Sequence, residues 1–363
     1  MKKICFFNSS DFWGGGEMLH LENAIEFRNR GFQVVVAANP NSELWKRAQK
    51  NGFDTMAVKI NSLSFLNIIK LMKLQKQFSV HKIDTLIFTT SQDFKTASIA
   101  GYLVNIPRVV YLRGLAVPIK RSLVNQFCIT RACTHIIANS EETKRTILQH
   151  FQGILPADSV KTIYHGIQPK LLENKKLSGH FFSQKSKGII LGNAGRLTKQ
   201  KGQHHLIEVA RYLKEEKIEF TLYIAGTGEL LDELTESIEK HHLQNDVILL
   251  GFVKEMEIFM QSIDLFLLPS SWEGFGFAIV EAMAKGKPVV AFNTTSNPEI
   301  INDQKTGLLA DFSEPKDFAQ KTKELILDPT LLKRMGKAAK QSVVDRFIIQ
   351  DRVAELEKYI AIK

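Results

Sequence analysis

The sequence predicts an α/β protein made of two doubly wound parallel-sheet domains that face each other across a cleft. Short, continuous apolar runs alternate with amphipathic helical patterns along most of the 363 residues. Such runs, separated by helices, call for parallel sheets covered on both faces. The rhythm breaks once, at QPKLLENKKLSGHFFSQKSKG (168–188), a polar, Lys-rich and aperiodic stretch that reads as a linker. A chain of this length supports two separate cores more readily than one.

The first half runs KICFFN, the helical GGEMLHLENAIEFRNRG, QVVVAA, a helix near 42–51, TMAVKI, a basic helix at 64–82, DTLIFTT, PRVVYLRG, THIIANS and VKTIYHGI. After the linker a second series follows: GIILGNAGRL, FTLYIAG, DVILLGF, DLFLLPS and PVVAF. The expected boundaries are a first domain over 1–168, a linker over 169–187 and a second domain over 188–344. The last helical stretch, within 345–363, is a candidate to return to the first domain. Ligands of open α/β sheets bind beyond the carboxyl ends of the strands, and glycine-rich segments occupy such ends in both halves.

Composition narrows the function classes. Residues 1–170 carry 22 Lys+Arg against 11 Asp+Glu, and residues 171–363 carry 26 against 27. The excess is all N-terminal and suits an anionic partner surface. Within it SFLNIIKLMKLQKQFSVHK sets Lys70, Lys73 and Lys76 among Leu66, Ile69, Leu71, Met72, Leu74 and Phe78. That pattern fits either an ordinary surface helix or an interfacial helix on an anionic membrane. No interleaved aromatic platform supports nucleic acid. Cys5, Cys128 and Cys133 lie in apolar runs without metal-type spacing and read as reduced core residues. No apolar stretch reaches the ~18 residues of a membrane span, and MKKICFFNSS enters a strand without a signal-type cleavage site. The expectation is a cytoplasmic protein, with peripheral attachment at the inner face of the cytoplasmic membrane as a candidate.

The chemistry concentrates in the second half. PSSWEGFGFAIVEAMAKG (269–286) lies between two apolar runs, so it holds one loop and one helix. Gly274 and Gly276 permit close backbone approach, and a helix from about Phe277 points unpaired N–H groups at an anion. Glu273 and Glu281 would repel a phosphate but accept hydrogen bonds from neutral hydroxyls, so the segment suits a ligand with both groups, a nucleotide sugar. GNAGRLTKQKGQHHLIEVARYL (192–213) places Arg196 and Lys201 on a loop between a strand and a helix, the fork and point charge a departing diphosphate needs. Alone this turn would also pass for a solvated loop. IAGTGELLDEL (224–234) begins a dinucleotide fingerprint with Gly226 and Gly228, but Leu231 holds the third glycine position, so a nicotinamide cofactor is not expected.

In the first half, Gly14–Gly16 of SDFWGGGEMLHLENA follow the first strand and can bring backbone close to a ligand. His165 ends the last strand of this half and is either a structural hydrogen-bonding residue or a cleft residue. The pairs His204–His205 and His241–His242 occupy adjacent helical positions that do not face each other, and no Asp-x-Asp pair is present, so metal-independent chemistry without a cofactor is expected.

The order GGGE, HG, GRL-x3-KG, GTGE and E-x7-E (Glu273 to Glu281), followed by EAMAKGKPVVA and NPEIINDQKTGLL, resembles family 4 of the retaining glycosyltransferases, with the GT-B fold of two Rossmann-like domains. The resemblance is specific in the second half and looser in the first. It implies that Arg196 and Lys201 bind the donor diphosphate, with Gly195 and Gly226 on the adjoining loops. It further implies that Glu281 holds the ribose hydroxyls, and that Glu273, with the backbone of Gly274, Phe275, Gly276 and Phe277, holds the transferred sugar. Arg196, Lys201 and Glu273 would carry the catalysis, and the Gly15–Gly16 backbone would meet the phosphates from the opposite side. Glu299 matches an acidic position of the family. Two departures stand out: Arg113 occupies the place of a family histidine on the acceptor side, and NTTSNP (293–298) replaces a loop that usually contains glycines.

The resemblance thus implies transfer of a sugar from a nucleotide-diphosphate donor to an acceptor hydroxyl with retention, in bacterial surface polysaccharide, lipopolysaccharide or glycolipid assembly. Its partners would be the donor and a glycan or lipid-linked acceptor; the basic helix of Lys70, Lys73 and Lys76 is a candidate for peripheral contact with an anionic membrane, and nucleic acid is not expected. A non-catalytic nucleotide-sugar-binding subunit of the same fold is the alternative. A glycosidase using Glu273 and Glu281 would have no use for the cationic diphosphate clamp.

Overall fold

The computed structural model describes residues 2–175, 182 and 188–360. The expected linker lies largely outside these residues. The chain forms two compact units, Met1–Gly166 with Ile349–Lys363, and Ile167–Ile348.

In the first unit the elements alternate as β1 (Lys3–Asn8), α1 (Gly15–Asn29), β2 (Gln33–Ala38), α2 (Glu43–Lys50), β3 (Asp54–Ala57), α3 (Ile68–Val80), β4 (Thr85–Phe88), α4 (Phe94–Leu103), β5 (Arg108–Arg113), α5 (Leu123–Phe127), β6 (His135–Ala138), α6 (Glu141–Leu148) and β7 (Val160–Thr162). The seven strands are parallel in the order β3-β2-β1-β4-β5-β6-β7. Alternate strand residues feed two cores: Cys5, Phe7, Leu86, Phe88 and Tyr111 on one face, and Ile4, Phe6, Val36, Ile87 and Val110 on the other. This two-sided burial is why the strands read as unbroken apolar runs.

The second unit repeats the plan with β8 (Ile189–Ala194), α7 (Gln203–Glu215), β9 (Phe220–Ala225), α8 (Leu231–Lys240), β10 (Val247–Gly251), α9 (Met256–Ser262), β11 (Leu265–Leu268), α10 (Phe277–Ala284), β12 (Val289–Phe292), α11 (Asn297–Ile300), β13 (Gly307–Ala310), α12 (Pro315–Leu327) and α13 (Pro329–Arg346). Its parallel order is β10-β9-β8-β11-β12-β13. The sequence reading sees five apolar runs here; β13 is too short and too close to its glycine to stand out, and it exists because it pairs with β12. Gly307 is required there, since a Cβ would lie 2.3 Å from the Val289 carbonyl oxygen.

The chain ends on α14 (Ile349–Tyr359), which belongs to the first unit. Ile349, Val353, Leu356 and Ile360 are buried in the core that holds Ile4, Phe6 and Phe27. Arg30 pairs with Glu357 at 2.7 Å, and Arg108 Nε donates to the Ile360 carbonyl at 3.1 Å. Residues 169–175, at the start of the expected linker, are fastened to the second unit: Lys340 Nζ donates to the Leu172 carbonyl at 2.7 Å and Lys285 Nζ to that of Glu173.

The basic stretch 64–82 departs from the single helix expected. A short 3-10 turn (Ser64–Leu66) precedes α3, and Asn67 caps α3 by accepting from the Lys70 amide. Leu74 and Phe78 enter the core, whereas Leu63, Leu66, Ile68, Ile69, Met72 and Val80 are 61–79% exposed. Three of the apolar residues assigned to this helix, Leu66, Ile69 and Met72, therefore face solvent beside Lys73 and Lys76. Lys70 leans back within 3.4 Å of Ser64 Oγ.

Candidate functional site

In both sheets the order reverses beside the first strand, between β1 and β4 and between β8 and β11. At such a switch point neighbouring connections leave in opposite directions and open a crevice at the carboxyl ends of the strands. In the second unit the loops that flank it carry the predicted residues: Gly195 to Gly202 after β8 and Pro269 to Gly276 after β11.

The two loops are tied together. Asn193 Nδ2 donates to the Leu267 carbonyl at 2.8 Å, the Ser271 amide to the Gln200 carbonyl at 2.8 Å, and Gln200 Nε2 to the Trp272 carbonyl at 3.0 Å. Across this seam Lys201 Nζ lies 2.6 Å from Glu273 Oε1, an ion pair whose side chains are 21% and 8% exposed. Ser270 Oγ donates to the same carboxylate oxygen at 2.7 Å. Arg196, close by in sequence, is exposed, its carbonyl held by Gln203 Nε2 at 3.0 Å. Among the described residues its guanidinium makes no ion pair.

Glycine supplies the backbone this seam needs. Gly202, which precedes α7, has φ +67°, and a Cβ there would meet the Pro269 carbonyl oxygen at 2.2 Å. Gly226, with φ +147°, lies against Gly195, whose carbonyl oxygen would be 1.8 Å from a Cβ. The GTG segment is therefore a close-packing turn that seats the Arg196 loop. Gly276 starts α10 with φ +82°. Phe275 is buried against Phe277 and Phe347 at 5.3 and 5.6 Å, so its ring is packed inside the unit. Glu281 stands in the second turn of α10, half-buried, beside a recess lined by Met256, Met260 and Lys285.

Sequence reasoning missed the residues that hold Glu273. Its amide donates to Thr295 Oγ1 at 3.0 Å, and Ser296 Oγ donates to its carbonyl at 3.2 Å. Thr295 has φ +47°, a conformation a β-branched residue rarely adopts. The NTTSNP loop thus keeps a backbone shape that suits glycine and gains a hydroxyl acceptor for the Glu273 amide. The absence of glycine from that loop was the only sequence signal. Glu299 lies on the short α11, and its carbonyl accepts from Arg346 Nη2 at 2.5 Å.

In the first unit Gly15 and Gly16 open α1, and the Gly14 amide donates to Glu17 Oε2 at 3.1 Å. Beneath them Asp93 is fully buried: it accepts from the Ser9 amide at 3.1 Å, from Ser9 Oγ, and from Thr90 Oγ1 at 2.7 Å. Burial raises its pKa to about 6 in spite of these bonds. Arg113 ends β5 and is buried, as is His165 beyond β7, whose pKa burial lowers to about 3. The two approach the same glycine: Arg113 adjoins Gly114 in sequence, and a Cβ on Gly114 would lie 3.7 Å from His165 Nε2. Among the described residues no group of three or more His, Cys, Asp or Glu side chains is arranged to hold a metal ion.

Two parallel-sheet Rossmann-like units, one with a cation–carboxylate pair at its switch point, define a protein of the GT-B class. The family description "Glycosyltransferase Family 4" matches residues 13–171 and "Glycosyl transferases group 1" matches residues 179–342. The chain is a glycosyltransferase of this family 4/group 1 type. It is 25% identical over 357 residues to the capsular polysaccharide biosynthesis glycosyltransferase CapM of Staphylococcus aureus, covering 93% of this chain and 92% of the relative. It is 24% identical to a UDP-Gal:alpha-D-GlcNAc-diphosphoundecaprenol alpha-1,3-galactosyltransferase of Escherichia coli, covering 81% of this chain and 78% of that one. Among solved structures, Anabaena HepE in complex with UDP and glucose has the same fold, with a TM-score of 0.83, 22% identity and coverage of 99% and 100%.

Proposed function

We propose that this protein transfers a sugar, with retention and without a metal ion, from a nucleotide-diphosphate donor to an acceptor hydroxyl in the assembly of bacterial surface polysaccharide or lipid-linked glycan. The observation that carries this reading is the Lys201–Glu273 pair at the β8/β11 switch point, flanked by the starts of α7 and α10. An anionic diphosphate draws Lys201 and Arg196 to itself and releases the Glu273 carboxylate to accept from sugar hydroxyls. Glu281 is assigned to the ribose. As the carbon–oxygen bond to the diphosphate breaks, the departing phosphate oxygen gains negative charge, which Lys201, Arg196 and the α10 N-terminus stabilise. That oxygen then takes the proton of the attacking hydroxyl, so no separate base is required. The names of the S. aureus and E. coli relatives support an envelope glycan as the product and a UDP-sugar as the first donor to test.

No described helix is long and apolar enough to cross a membrane. Contact with an anionic bilayer is assigned to the corner formed by Leu63, Leu66, Ile68, Ile69 and Met72 with Lys73 and Lys76, an exposed apolar set beside exposed lysines. Residues 55–83 contain five lysines and no acidic residue.

The decisive experiment is a donor panel with release of the nucleoside diphosphate as the readout. Arg196→Ala and Lys201→Ala should each lower kcat/KM by ~10²-fold or more, the loss of an oxyanion-type donor. Near-normal turnover in both would remove the assignment. Product anomeric configuration by NMR tests retention, and turnover in a chelator tests metal independence.

A further inference from the structure

Arg113 is 4% exposed, yet its partners are all neutral. Nη1 donates to Tyr111 Oη at 2.6 Å and to Ser91 Oγ at 3.3 Å, and Nη2 to the Val117 carbonyl at 2.5 Å. Nε, also buried, has no acceptor among the described residues. Among the described residues no carboxylate pairs with it, whereas Arg30 has Glu357 and Arg108 has Asp84. A guanidinium stays charged at any physiological pH, and a buried charge is costly without a counter-ion.

The position of this cation says where the missing charge comes from. Arg113 lies at the carboxyl end of β5, next to the β1/β4 switch point and therefore at the ligand end of the sheet. Two of its acceptors belong to exposed residues, Ser91 after β4 and Val117 after β5, and the third, Tyr111, is buried. Asn139, following β6, also has a buried Oδ1 without a partner among the described residues. His165 beside Gly114 is held neutral by burial and adds no competing charge.

We propose that Arg113 recognises an oxyanion, phosphoryl or carboxylate, carried by the acceptor, which displaces Ser91 Oγ and supplies the counter-ion that the unliganded fold lacks. The proposal rests on the reading of this chain as a transferase, and it narrows the acceptor to an anionic one. A charge-assisted, two-point bond of this kind distinguishes an anionic from a neutral glycan.

The test uses the full chain with 15N-labelled arginine, first titrated with UDP and then, at saturating UDP, with farnesyl diphosphate, methyl glucuronide or neutral methyl glucoside. The Arg113 Nε resonance, assigned from its loss in Arg113→Lys, should shift with one of the anionic probes and not with the neutral one. Farnesyl diphosphate alone identifies a phosphoryl acceptor and methyl glucuronide alone a carboxylate one. Arg113→Gln should weaken the effective probe by ~10-fold or more, with part of the loss restored in Arg113→Lys, while UDP affinity stays unchanged. An Nε resonance unmoved by both anions overturns the proposal in the wild-type protein, whether or not Arg113→Gln folds. Loss of UDP binding in Arg113→Gln would assign the cation to the donor instead, which also overturns it. Failure of the wild type to bind any nucleotide would refute the transferase reading independently.

Discussion

Lys201→Met separates what the ion pair does for the fold from what it does for the ligand. The substitution leaves the Glu273 carboxylate, 8% exposed, with the Ser270 hydroxyl as its remaining side-chain donor among the described residues. Loss of a hydrogen bond to a charged group costs about 1.5–3 kcal/mol. A fully buried unpaired charge would cost more, but Lys201 is 21% exposed, so water can reach the space it leaves. A loss of ~2 kcal/mol follows, a fall in Tm of about 4–8 °C for a unit of this size. Lys201→Met combined with Glu273→Gln leaves no uncompensated charge and should recover at least half of that loss. Activity should not follow stability: the double variant lacks two of the groups assigned to the donor, Lys201 and Glu273, and should be no more active than the single one. Differential scanning calorimetry of the two variants beside their kcat/KM values gives the comparison. A single variant that melts with the wild type, or a double variant less stable than the single one, would refute the argument.

Three further outcomes follow from individual contacts. Gly226→Ala places a methyl group against the Gly195 carbonyl oxygen and should destabilise the second unit by roughly 2–4 kcal/mol, read as a lower urea midpoint; an unchanged midpoint would mean that the close approach is absent. Thr295→Gly relieves the positive φ but removes the acceptor of the Glu273 amide, so stability should hold within ~1 kcal/mol while donor KM rises; an unchanged KM would show that Thr295 does not position Glu273. Acidification should act through three buried groups of the first unit. Burial lowers His20 to about 4 and His165 to about 3, so the unfolded chain takes up their protons first, and stability is lost as pH falls below 6.5. Asp93, raised from 3.8 to about 6, works the other way: its penalty is full above pH 6 and is relieved as pH falls towards 3.8. Asp93→Asn should therefore gain stability relative to wild type at pH 7 and lose ~3 kcal/mol of that gain by pH 4, measured as paired denaturation curves; a pH-independent difference would contradict a raised pKa.

The sequence alone determined the βα alternation, the parallel sheets, the loops that carry Arg196, Lys201 and Glu273, and the helix that carries Glu281. Burial on both faces writes a strand as a run such as VVVAA, and glycine is compulsory where backbone meets backbone, so both signals are local. Tertiary structure decided what depends on which strands become neighbours. Pairing of β8 with β11 brings Lys201 onto Glu273 across 72 residues, a contact that no spacing rule predicts. Likewise Thr295 meets the Glu273 amide only because β12 lies beside β11. The packing of β4, β5 and β6 buries Arg113 among neutral partners, where the sequence offered only an arginine in place of a histidine. The exposed apolar corner at the start of α3 was hidden for the opposite reason. Periodicity reports that a helix has two faces, and only the sheet it packs against decides that Leu74 and Phe78 go in while Ile69 and Met72 stay out.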